Sequence, residues 1–147
     1  NKPLDIKKAD EALKKSAFWE KFKTLPNGYE TQLTKEFDES GFNPSGGEKQ
    51  KIALARVLYA DSDIIILDEP SGALDPIAEY TLNKTVTELS SDKTVIIISH
   101  RLSTTRFADK IYMLANGEII ESGTHEKLIK QNGKYAEMFR LQAEKYR

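Results

Sequence analysis

The chain has no cysteine in its 147 residues and only two histidines. That excludes a disulfide framework and a thiolate metal centre, and two imidazoles are too few for a histidine-rich one. A reducing, cytosolic setting fits such a composition. Long apolar runs are missing too. The longest, Ile111 to Ala115, is five residues, where a bilayer span needs roughly 20. No charged-then-apolar leader opens the chain, so the expectation is a segment that neither crosses a membrane nor is exported. An excess of one charge is also absent, because 22 Lys plus Arg face 23 Asp plus Glu for a net charge of −1. The electrostatic footprint of a nucleic-acid binder is therefore lacking, and no nucleic acid is expected among the partners.

What is present is uneven. Residues 61–80 hold Asp61, Asp63, Asp68, Glu69, Asp75 and Glu79 and no Lys or Arg. Such a stretch either faces water or awaits a cation. Asp68 and Glu69 follow the apolar run Ile64 to Leu67 directly. That run and Val95 to Ile98 are short and β-branched, which suits parallel strands buried on both faces. Between them, Asp75 as N-cap and Pro76 at the first helical position predict a crossover helix, completing a βαβ unit.

Elsewhere the local signals are plain. Asp5 is an N-cap for a helix carrying Ile6, Ala9, Leu13, Ala17, Phe18 and Phe22, ended by Pro26-Asn27-Gly28. Residues 29–44 have no clean period and read as a loop. Ser45-Gly46-Gly47-Glu48 has capping-box spacing ahead of a helix from Lys49 to Ala60. A strand near Lys110 to Leu114 turns at Asn116-Gly117 into Glu118 to Glu121 as a hairpin. From Thr124 onward two helices are separated by Asn132-Gly133. His125 reads as a helix-start or surface residue, and Trp19 with Phe18 and Phe22 as packing.

Two places carry chemistry. Open α/β sheets gather ligands at the carboxyl ends of their strands, where Asp68-Glu69 and Ser99-His100 fall, so both pairs are expected at one crevice. Mg²⁺ takes one or two carboxylates plus phosphates, and a neighbouring acid can orient a water; the alternative is a solvated acidic turn before Pro70. The Ser45-Gly46-Gly47 turn offers backbone N–H groups and a helix N-terminus to an anion, or is simply a capped helix.

Taken together, these segments resemble the nucleotide-binding domain of ATP-binding cassette (ABC) transporters. Ser45 to Lys51 is similar to the family's signature sequence, Ile64 to Pro70 to its Walker B strand, Ser71-Gly72-Ala73-Leu74-Asp75 to its D-loop, and His100 to its switch histidine. Leu25 to Thr31 and Gly123 to Leu128 resemble segments of the exporter branch with fused membrane domains. The fold this implies is α/β: a partial P-loop NTPase core with mainly parallel strands, part of a helical subdomain (residues 1–44), and C-terminal helices. Residues 45–147 would be the signature helix and the later part of the core.

The resemblance further implies that Asp68 holds Mg²⁺ and that Glu69 polarises the water attacking the γ-phosphate of ATP. His100 would contact that phosphate. Ser45, Gly46, Gly47 and Glu48 would meet the nucleotide held by a second nucleotide-binding domain in a two-fold dimer, and Asp75 would cross the interface. The remaining partner implied is the transmembrane domain of a parent exporter, at the cytoplasmic face of the membrane.

The chain contains no G-x-x-x-x-G-K-[ST] sequence to cradle phosphates. The implied object is thus the later half of a cassette, unable by itself to bind ATP tightly or hydrolyse it, with a bare edge along Val95 to Ile98. Pro44 and Glu48 depart from the family's usual Leu and Gln, and Leu33 to Phe42 matches the exporter pattern poorly. Competing functions are a soluble ABC-type ATPase acting in DNA repair or translation, and a non-catalytic interaction module.

Overall fold

A computed structural model of the chain describes residues 3–36, 38–72 and 74–144. The chain divides into two compact units, Asn1–Ile97 and Ile98–Arg147. The first unit contains α1 (Ile6–Lys15), α2 (Trp19–Phe22), a 3₁₀ turn at Gly28–Glu30, α3 (Gly46–Ala60), β1 (Ile64–Asp68), α4 (Pro76–Leu89) and β2 (Thr94–Ile98), which ends at the division. The second contains α5 (Leu102–Thr105), β3 (Ile111–Ala115), β4 (Glu118–Gly123), α6 (His125–Gln131) and α7 (Lys134–Glu144). No helix among the described residues is long and apolar enough to cross a membrane.

In the first unit, the Asp5 carboxylate accepts the Lys8 amide and starts α1 as its position predicts. The helix does not run on to Phe22. It ends at Lys15, with Ala17 at φ 56°. The Phe18 amide donates to the Leu13 carbonyl at 3.0 Å and the Ala17 amide to that of Lys14 at 3.1 Å, a Schellman closure. Burial of Phe18 beside Leu13 and Ala55 supplies the reason, because the reversal delivers its ring to the core instead of around the helix. Trp19 and Phe22 pack on the same cluster.

Residues 31–45 have no helix or strand among those described. A side chain at Gly41 would collide with the Thr34 and Asp38 carbonyl oxygens, so only glycine lets the loop fold back until Phe42 donates to the Gln32 carbonyl at 2.8 Å.

β1 and β2 form a two-stranded parallel sheet joined by the crossover α4, a mixed α/β arrangement. The expectation of burial on both faces is corrected here. Ile65 and Leu67 turn inward, while Ile64 and Ile66 are 61% and 62% exposed. Ile96 is exposed as well, because among the described residues no element covers the outer face and β2 pairs with β1 alone. Lys93 fixes the entrance of the sheet by an ion pair to Asp61 at 2.8 Å, which holds the Asp61 carboxyl below its usual range.

The second unit is built on the antiparallel hairpin of β3 and β4, which turns at Asn116-Gly117 with both residues at positive φ. Its core gathers Leu102, Ile111, Leu128 and Tyr135. Glu121 of β4 accepts the backbone amides of Lys134 and Tyr135 and so caps α7 from outside its own sequence. His125 is more than a helix start. Its Nδ1 lies 2.9 Å from the Tyr135 hydroxyl, which also meets Thr105 Oγ1 at 2.9 Å.

Candidate functional site

The capping box at Ser45 forms in full. Ser45 Oγ accepts the Glu48 amide at 3.3 Å, and Glu48 Oε2 accepts the Ser45 amide at 2.8 Å. The second bond is the main reason the Glu48 carboxyl is held below its ordinary range, with Lys21 and Lys51 adding to it. Lys21 approaches Glu48 at 3.9 Å. Ser45 and Gly46 are exposed and Gly47 and Glu48 partly so, which leaves the start of α3 open to an anion. Glu48 spends its charge on the cap and on Lys21.

β1 runs into the acidic pair. Asp68 is exposed at the strand end, and Glu69 is partly buried with φ 46°. A left-handed backbone is uncommon for a residue carrying Cβ and occurs at functional turns. Here it reverses the chain within four residues, closing with Gly72 N–H to the Glu69 carbonyl at 3.2 Å and Leu74 N–H to the Ser71 carbonyl at 3.2 Å. Gln50 of α3 also reaches the Glu69 carbonyl, its Nε2 donating at 3.4 Å. Helix α3 and the acidic turn are therefore in contact inside one unit. They share a cavity of about 190 Å³ lined by Gln50, Lys51, Leu54, Leu67, Asp68 and Glu69. Sequence reasoning gives Gln50 no role of its own. Its partner lies 19 residues away, and no local pattern marks it.

Ala73, in the segment that resembles a D-loop, lies outside the described residues. Asp75 beyond it caps α4, accepting the Ile77 and Ala78 amides at 3.0 and 2.9 Å. The bond from Ala78 is the largest cause that lowers its carboxyl pKa. Its carboxylate is thus committed to the helix start, and the residue itself is exposed.

Glu69 belongs to the first unit and His100 to the second. His100 is exposed, and its carbonyl accepts Gln142 Nε2 at 2.6 Å. The Arg101 amide bonds Ser99 Oγ at 3.0 Å.

No group of three or more His, Cys, Asp or Glu that could hold a metal occurs among the described residues. Asp68 and Glu69 supply hard oxygen donors, which suit Mg²⁺ when phosphates and water complete its shell. A cation fits here only together with a phosphate ligand.

The chain is similar to known proteins in both sequence and fold. The family model for ABC transporters matches residues 5–72. The ATP-dependent lipid A-core flippase of Photobacterium profundum is 42% identical over 138 residues, covering 94% of this chain and 22% of the flippase. The glutathione/L-cysteine transport system ATP-binding/permease protein CydD of Bacillus subtilis is 43% identical over 137 residues, 93% of this chain and 23% of that protein. Among solved structures, a bacterial Atm1-family ABC exporter with ATP bound superposes with a TM-score of 0.81 at 38% identity, over 93% of this chain and 23% of that one. The fold is that of a partial ABC ATPase domain. The chain is thus similar to ABC transporters over most of its own length, and it spans less than a quarter of the length of these relatives.

Proposed function

We propose that the chain is the later part of the ATP-binding cassette of an exporter-type ABC protein, coupling ATP binding and hydrolysis to transport across a membrane. The observation that carries this reading is the acidic turn at the end of β1, where Asp68 and a strained Glu69 lie beside the signature helix. Its support is the matching of fused ATP-binding/permease proteins over more than nine-tenths of the chain.

In this reading residues 1–44 are part of the helical subdomain and residues 45–147 the signature helix and later core. Asp68 holds Mg²⁺, which when bound would neutralise charge on the phosphates. Glu69 orients and polarises the attacking water, its carboxylate aimed by the left-handed turn. His100 contacts the γ-phosphate. Ser45, Gly46 and Gly47 offer backbone and hydroxyl donors to the nucleotide of a second nucleotide-binding domain, with Glu48 weakening that contact by its charge. Asp75 stands at the dimer interface. Such positioning and charge neutralisation account for most of phosphoryl-transfer catalysis. The partners are a second cassette and a transmembrane domain, and the location is the cytoplasmic face of that membrane.

The chain alone, without a phosphate-cradling loop, neither binds ATP tightly nor hydrolyses it. Calorimetric titration of the chain with Mg-ATP is expected to show no micromolar binding, and such binding would refute this part. In the full-length protein, Glu69→Gln is expected to lower phosphate release by at least about 100-fold while ATP binding persists. Turnover that survives the change removes Glu69 from its role.

A further inference from the structure

Gln142 of α7 has no place in the roles assigned above. Its side-chain amide grips the loop that carries His100: Nε2 donates to the His100 carbonyl at 2.6 Å, and Oε1 accepts the Leu102 amide at 2.9 Å. Only one orientation of the amide makes both bonds, since a carbonyl needs a donor and an N–H an acceptor. Two bonds from one planar group fix direction as well as distance. Leu102 opens α5, whose N-cap, Arg101, makes no side-chain capping bond. Gln142 therefore satisfies a helix-start amide from 40 residues away. The support is itself anchored, because Glu121 caps the start of α7 and Tyr135 on the same helix is only 1% exposed. A rigid element thus holds the backbone from which the imidazole projects.

We propose that Gln142 is a positioning residue for His100, setting the loop so that the imidazole meets the phosphate with no contact of its own to nucleotide. This rests on the reading of His100 as the γ-phosphate contact. The test uses the full-length protein and the variants Gln142→Glu, Gln142→Met, His100→Ala and the double variant His100→Ala/Gln142→Glu. Glu keeps the shape but turns an acceptor toward the His100 carbonyl, whereas Met keeps the length and makes neither bond. Phosphate release is measured against ATP concentration, and amide hydrogen exchange is followed at Leu102.

Both single Gln142 variants are expected to lower kcat roughly tenfold, as for a misplaced catalytic group, with KM for ATP within about twofold and faster exchange at Leu102. In the His100→Ala background the Gln142 change is expected to add less than about twofold. An unchanged kcat in both single variants overturns the proposal, as does a full tenfold loss that persists without His100, which would make Gln142 a support of the fold alone. Unchanged exchange at Leu102 overturns the clamp itself. Full turnover in His100→Ala instead overturns the reading of His100, and with it the effect on kcat, while the exchange result still reports on the clamp.

Discussion

The turn that carries Glu69 and the loop that carries His100 are both reached by a glutamine from a helix far along the chain, yet they are held in different ways. The Glu69 turn mostly holds itself. Its carbonyl already accepts the Gly72 amide at 3.2 Å, the following residues bond within the turn, and Gln50 adds a single long contact of 3.4 Å. The His100 loop depends on Gln142, through bonds of 2.6 and 2.9 Å. A side chain can thus be placed by a turn closed on its own backbone or by a distant clamp. The first resists remote change, and the second transmits it.

The largest expected effect strikes the foundation of the clamp. Leu128 is fully buried in the core that also holds Tyr135, and Leu128→Ala is expected to cost about 2–5 kcal/mol, read by urea unfolding. Amide exchange in α7 and at Leu102 should rise together; a rise in α7 that leaves Leu102 protected would break the dependence claimed for the loop. Next is Ser45→Ala, which removes the side-chain half of the capping box at the head of α3 and is expected to cost about 1 kcal/mol. The same loss should leave exchange at Gly72 unchanged, since the Glu69 turn closes on its own backbone.

Smaller again is Gln50→Met. It deletes a contact that is long for a hydrogen bond and is expected to lower kcat by less than about threefold. A loss equal to that of Gln142→Met would erase the distinction between the two regions. The least effect concerns acid. Glu48 has its carboxyl lowered in the fold by the Ser45 amide, so its contribution is complete above the unfolded carboxylate range, about 4, and is lost as pH falls through the lower folded value. Glu48→Gln should therefore flatten the decline of the thermal midpoint between about pH 5 and 3. An unaltered slope would show that the cap bond does not depend on charge.

The sequence made legible whatever the backbone announces locally. Asp5, the Ser45–Glu48 box, Asp75 with Pro76, Asn116-Gly117 and the break at Asn132-Gly133 all stand where their capping and turn chemistry places them. Ala17 was illegible because alanine is the best helix former, and only the burial of Phe18 forces its positive φ. Gln50, Glu121 and Gln142 were illegible for a related reason. Each acts on backbone groups 13 to 42 residues distant, beyond any spacing rule. The residues proposed for chemistry rest on family resemblance and strand-end position, and the bonds that hold their backbone are visible only in three dimensions.

Ile64, Ile66 and Ile96 line the outer face of the first sheet, whose second strand, Thr94–Ile98, is β-branched throughout. In dilute aqueous buffer such a strip is a colloidal liability: low in charge, free of proline and of the length that nucleates stacked strands. Light scattering of the separate chain should grow with concentration before any nucleotide is added. Ile96→Lys, on the solvent side of the strand, is the gatekeeper change that would keep the preparation clear.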